Sequence, residues 1–128
     1  MLSEGCPALV GVIEDDAVSR AALGRLLLAG GFEPALFDSA ETFMASPPQE
    51  SLLCLIVDVH LTGMSGIDLQ GRLRDQGSDV PVIITTGDRR DMIRERAEQA
   101  GCAAFLWKPF SPDAILDVLG TIVGRSHA

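Results

Sequence analysis

Apolar runs and segments of helical periodicity alternate along the whole chain. The runs at 8–13, 52–57, 80–85 and 103–107 are apolar without an inside–outside alternation, the pattern of strands buried on both faces. A weaker strand is predicted at 33–37. Between the runs lie helices. Over 17–29, Ala22 and Leu26, and Leu23 and Leu27, fall at i,i+4, and Gly30-Gly31 stops the helix. Ser39 is placed to cap a short helix carrying Phe43 and Met44, which Pro47-Pro48 terminates. Gly63-Met64-Ser65-Gly66 makes a loop before a helix with Leu69 and Leu73 on one face. Over 89–100, Ile93, Ala97 and Ala100 fall at i,i+4,i+7, and Gly101 ends that helix. Ser111, Pro112 and Asp113 form a helix start, and the last helix is predicted to run to 123.

Five strand–helix units imply a parallel sheet with right-handed crossovers and helices on both faces. Ligands of such sheets bind beyond the carboxyl ends of the strands, at the switch point in strand order. Four runs end there on polar residues of different kinds: Glu14-Asp15-Asp16, Asp58, Thr85-Thr86-Gly87 and Lys108-Pro109. One sheet edge would then carry carboxylates, a hydroxyl and an ammonium, a set that can bind a divalent metal and a phosphoryl group.

Length and composition narrow the setting. At 128 residues with 47% hydrophobic content, the chain is expected to form one domain with a full core. No run reaches the length of a membrane span, and the start Met1-Leu2-Ser3-Glu4 lacks the positive region of a signal peptide. A cytoplasmic protein is expected. The net charge of −8 opposes direct binding to nucleic acid or to acidic membranes. Lys108 is the only lysine, against nine arginines. Cys6, Cys54 and Cys102 are odd in number and widely spaced, without metal-ligand spacing. Cys54 reads as a small core residue.

Taken together, Val12-Ile13-Glu14-Asp15-Asp16, Leu55-Ile56-Val57-Asp58-Val59 with Gly63-Met64-Ser65-Gly66, Val82-Ile83-Ile84-Thr85-Thr86-Gly87 and Lys108-Pro109-Phe110 resemble the receiver domains of two-component response regulators. The stretch around Asp58 and the Thr-Gly turn are most similar to the NtrC/FixJ-like receivers. The resemblance spans about 8–123. It divides the chain into an N-terminal extension 1–7, a receiver domain 8–124 and a tail 125–128. The implied fold is α/β: a doubly wound five-stranded parallel sheet of the flavodoxin/CheY-like kind, order 2-1-3-4-5, with five helices. The implied function is Mg²⁺-dependent acceptance of a phosphoryl group from a histidine kinase or phosphotransfer protein, with Mn²⁺ as an alternative metal. The module would not be a turnover enzyme.

The resemblance also implies roles for single residues, and each role suits the residue's chemistry. Asp58 resembles the phosphoacceptor, since a carboxylate can attack phosphorus to form an acyl phosphate. Glu14 and Asp15, with Asp58 and the backbone carbonyl of His60, resemble the Mg²⁺ ligands, hard oxygens that suit this ion. A dication also offsets the repulsion among crowded carboxylates. Thr86 and Lys108 resemble the groups that meet the phosphoryl oxygens, and Pro109 is implied to follow a cis bond. Phe105 resembles the switch aromatic that turns inward when the threonine moves. The 89–123 face is the implied contact for a partner or output domain, and phosphorylation would favour a homodimer there.

Taken singly, each residue has a plainer account. Asp58 can be a strand-end ion pair, Asp16 and Thr86 helix caps, Lys108 a solvated cation, Phe105 fixed core, and the His60 side chain an exposed ring. The charged helix 89–100 is most simply a solvated face. In the last helix, Ile115, Leu116, Val118, Leu119, Ile122 and Val123 make a stripe wider than a core requires, which points to a partner contact. Three departures from the family pattern stand out. Thr62 replaces the usual proline four residues after the acceptor, Asp88 adds a negative charge beside the site, and Trp107 falls on the same strand face as Phe105. Two rival functions remain: a phosphorylation-independent receiver acting as an interaction module, and a phosphatase on a similar scaffold. The second is weakened because His60 stands where a catalytic carboxylate is expected.

Overall fold

A computed structural model describes residues 8–46 and 52–126; the expected extension 1–7, Cys6 and the Pro47-Pro48 stop lie outside them. Ten elements alternate: β1 (Leu9–Ile13), α1 (Ala17–Ala29), β2 (Glu33–Phe37), α2 (Ala40–Ala45), β3 (Leu52–Asp58), α3 (Gly66–Asp75), β4 (Val82–Thr86), α4 (Asp91–Gln99), β5 (Ala104–Trp107) and α5 (Pro112–Ser126). The five strands are parallel, in the order β2-β1-β3-β4-β5. The doubly wound sheet expected from the alternation is therefore the architecture observed.

Strand parity sorts the core into two layers. Ile13, Leu55, Val57 and Ile84 pack with Leu69 and Leu73 of α3 and with Ile93 and Ala97 of α4. Val10, Val12, Cys54, Ile56 and Ile83 pack with Leu23 and Leu27 of α1 and with Ile115 and Leu119 of α5. Burial of Cys54 pushes its thiol up to about 12, which fits an inert core residue.

The helices start where their caps allow. Asp16, Ser39 and Ser65 each accept a hydrogen bond from the backbone three residues on, at Ser19, Thr42 and Asp68. Ser111 does the same for Ala114. The helix predicted from residue 89 begins at Asp91, because Asp88 takes the backbone N–H of Arg90 and holds that residue extended.

Two expectations for the last helix change. α5 continues to Ser126, past the expected end at 123, since Gly124 is tolerated inside a helix where no proline follows. Its wide apolar stripe is largely consumed by the core. Leu116 and Val118 pack against the α1/α5 layer, and Leu116 reaches the turn at Gly30, where a Cβ would lie 2.6 Å from its Cδ2. Among the described residues, no helix is long and apolar enough to cross a membrane.

Candidate functional site at the carboxyl edge of the sheet

The three strand-end residues Glu14, Asp58 and Lys108 share one parity with the α1/α5 layer, so their side chains converge. Lys108 Nζ donates to Glu14 Oε1 at 2.6 Å and to Asp58 Oδ2 at 2.7 Å. Glu14 is 3% exposed. Burial raises its carboxyl above the ordinary value, although the Lys108 ammonium pulls the other way. Burial also works against the Lys108 charge, but its hydrogen bonds to Asp58 and Glu14 outweigh it and raise the ammonium. Lys108 precedes a cis proline, as the resemblance implied.

Asp58 ends β3 and is held on its second oxygen as well, where Oδ1 accepts the His60 N–H at 3.2 Å. Behind it, Gly66 opens α3 with its N–H on the Val59 carbonyl at 3.1 Å. A Cβ at Gly66 would collide with the Asp58 carbonyl oxygen and lie 2.8 Å from Val57 Cγ1. The sequence placed Gly66 only in a loop. Its function is to let α3 start against the backbone of Asp58.

Thr86 is fully buried at the end of β4, and its Oγ1 accepts the Asp88 N–H at 3.0 Å. The hydroxyl proton is left for another acceptor. On β5, Phe105 stands beside Ile84 and Trp107 beside Thr86. The two rings do share a face, as parity predicted, and they touch edge to face. Phe105 also packs against the α3/α4 layer.

His60 is exposed as expected, and Asp88 brings its negative charge beside the site, but the two are joined to each other. The His60 ring is exposed, yet its Nε2 lies 2.8 Å from Asp88 Oδ2. Arg90 pairs with both oxygens of Asp88, with Nη2 at 2.6 Å from Oδ2. The Arg90 guanidinium, then the His60 ring, hold the Asp88 carboxyl well below the usual carboxylate range. The added negative charge is thus offset locally, and its contacts tie the loop after β3 to the loop after β4. On α4 itself the charged face is solvated, with Arg94 pairing Glu98 at 3.1 Å.

Asp15 makes its contact with the loop after β3. Its Oδ2 accepts both the Thr62 N–H at 3.1 Å and the Thr62 hydroxyl at 3.2 Å. Glu14 and Asp58 supply the hard oxygens that Mg²⁺ prefers, and a position that attracts an ammonium from two carboxylates also favours a dication. The donor chemistry fits the ion. Among the described residues, however, no three acidic, histidine or cysteine groups stand together in a ligating cluster, and Asp15 is bonded to Thr62.

The response regulator receiver domain model matches residues 10–120. The transcriptional regulatory protein FixJ of Bradyrhizobium diazoefficiens is 36% identical over 116 residues, covering 91% of this chain and 57% of that protein. Nodulation protein W of the same organism is 36% identical over 120 residues, covering 94% and 53%. The chain spans about half the length of the curated relatives it matches. In fold, it superimposes on full-length FixJ from B. japonicum with a TM-score of 0.85 at 34% identity, covering 92% of this chain and 58% of that one. A response regulator receiver protein from Pseudoalteromonas atlantica gives 0.86 at 26% identity, covering 92% and 98%. With the matched region running from the second residue of β1 into α5, the chain belongs to the response regulator receiver domain family of two-component signalling.

Proposed function

We propose that this receiver accepts a phosphoryl group on Asp58 from a phosphohistidine of a histidine kinase or phosphotransfer protein. The observation that carries the proposal is the Lys108 ammonium held between Asp58 and Glu14 at 2.7 and 2.6 Å. It orients the Asp58 carboxylate and provides a cation for the phosphoryl oxygens. In the transfer, an Asp58 oxygen forms the P–O bond as the P–N bond to the donor imidazole breaks, and the imidazole leaves. The product is an aspartyl phosphate. Glu14, Asp15, Asp58 and the His60 carbonyl would hold Mg²⁺, or Mn²⁺ in its place. When bound, that ion neutralises charge on the transferring group. A groove beside Lys108, lined by Ala22, Leu23, Leu26, Pro109 and Phe110, supports approach of a donor protein from the α1 side.

After transfer, Lys108 and the Thr86 hydroxyl meet the new phosphoryl oxygens. The added dianion biases two arrangements of the Thr86 loop and of Phe105 rather than doing further chemistry. The 89–123 face, built from α4, β5 and α5, then changes its affinity for a downstream partner, an output domain or a second copy. Matches to transcriptional regulators such as FixJ support a role in transcription control in the cytoplasm, exerted through that partner and not by this chain on DNA. The module acts as a switch, not as a turnover enzyme.

Intact-mass spectrometry after incubation with acetyl phosphate and Mg²⁺ tests the proposal. One phosphoryl adduct is expected on the wild type, none on Asp58→Asn, and none after chelation. Labelling of Asp58→Asn at wild-type yield would refute it. Absence of an adduct from both acetyl phosphate and a kinase donor would favour the phosphorylation-independent module.

A further inference from the structure

We infer that Thr62 is a positioning residue that competes with the divalent ion for Asp15 and so sets this receiver's metal affinity. The inference rests on the Mg²⁺ role proposed above. Thr62 offers two donors, its backbone N–H and its hydroxyl, and both fall on the same Asp15 oxygen, at 3.1 and 3.2 Å. The other two carboxylates of the edge, Glu14 and Asp58, converge on one ammonium, while one Asp15 oxygen is taken by the loop after β3. For Asp15 to join them around a dication, it must give up at least part of this bonding, and the cost is subtracted from the binding free energy.

The chemistry at position 62 makes this a property of the chain rather than of any loop of this length. A proline there has neither an N–H nor a hydroxyl and could not hold Asp15 at all. The loop has supports besides the Asp15 contact. Gly63 takes a positive φ of 87°, and the Glu41 carboxylate from α2 accepts the Met64 N–H at 2.8 Å. Removing the donors of residue 62 therefore releases Asp15 while the far side of the loop stays anchored.

The test is Mg²⁺ titration of the unphosphorylated protein, followed by calorimetry and amide NMR shifts, for the wild type, Thr62→Val and Thr62→Pro. Thr62→Val removes one donor and Thr62→Pro both. Affinity should rise in that order, by roughly two- to tenfold in total, the span of a hydrogen bond's net contribution. In an Asp15→Ala background, which leaves no side-chain oxygen for the Thr62 donors, the same substitutions should change the remaining affinity less than twofold, an outcome that altered loop stiffness alone would not produce. Thermal midpoints without metal check that each variant folds. Equal Mg²⁺ affinity in the wild type and both folded variants overturns the inference and leaves the phosphoacceptor role standing. Failure of all three folded proteins to bind Mg²⁺ overturns the metal role and this inference together.

Discussion

Trp107 meets Phe105 edge to face, with ring centroids 4.8 Å apart and planes at 86°. Trp107, not Phe105, is the β5 neighbour of Thr86, and the Arg89 guanidinium lies over its ring, 4.9 Å from the centroid. If Thr86 moves as proposed, the indole beside it should sense the movement. Phosphorylation should change Trp107 emission, and Arg89→Ala should change the resting emission while costing about 0.5–1 kcal/mol, the worth of an exposed cation–π contact. Fluorescence with acetyl phosphate and Mg²⁺ checks both. Emission unaltered by a stoichiometric phosphoryl adduct would place the moving element elsewhere.

Gly66→Ala should damage the site without touching a charged group. The new methyl would meet the Asp58 carbonyl oxygen and Val57 Cγ1, and neither is the free end of a flexible side chain. The start of α3 or the end of β3 must shift, at a cost of about 1–3 kcal/mol, as for other overpacked positions. Urea unfolding should record that loss. Phosphorylation yield should fall further than the stability change explains. A variant with wild-type stability and yield would show that the loop absorbs the methyl freely.

The contrast between Gly66 and Lys108 explains what the sequence could disclose. Lys108, Asp58 and Glu14 were legible because each closes an apolar run, and strand parity then brings them to one face of one edge. Parity also put Phe105 and Trp107 on one strand face. Contacts set by loop path were not legible. Thr62 reaches Asp15 across 47 positions and His60 reaches Asp88 across 28, and no periodicity connects such loops. Gly66 was visible as a loop residue, but the need for its missing Cβ comes from a carbonyl on another element. The packing of Leu116 was hidden in the same way, since the room for it is provided by the turn at Gly30.

Glu14→Gln should trade function for stability. Burial raises the Glu14 carboxyl above its ordinary 4.5 despite Lys108. The folded state therefore binds this proton more tightly than the unfolded state does. Its contribution favours folding at low pH and is lost as pH rises from 4.5 through the raised folded value. At neutral pH the wild type carries that cost. Glutamine avoids it and still offers an oxygen to Lys108. Urea unfolding should give a gain on the order of 1 kcal/mol at neutral pH, a typical single-residue effect, which shrinks toward acid pH. Mg²⁺ binding should weaken in the same variant. A loss of stability at neutral pH would mean that the Lys108–Glu14 charge pair outweighs the burial of the carboxylate.

The alkaline limb of stability isolates Lys108. The chain has no tyrosine and no other lysine, so few groups titrate there besides the cysteines, and burial of Cys54 pushes its thiol up to about 12. Hydrogen bonds to Asp58 and Glu14 raise the Lys108 ammonium above 10.5. Its contribution is complete below that unfolded value and disappears as pH rises through the higher folded value. Deprotonation then leaves Glu14 and Asp58 facing each other with no cation between them. A loss of about 1–3 kcal/mol is expected, the size of a charge-assisted hydrogen bond, read as a falling urea midpoint above pH 10.5. Lys108→Met should remove this step and show a lower, flatter midpoint at neutral pH. If Lys108→Met kept the same alkaline fall, the titrating group would be a cysteine, and the ammonium between the two carboxylates would not be what holds this edge together.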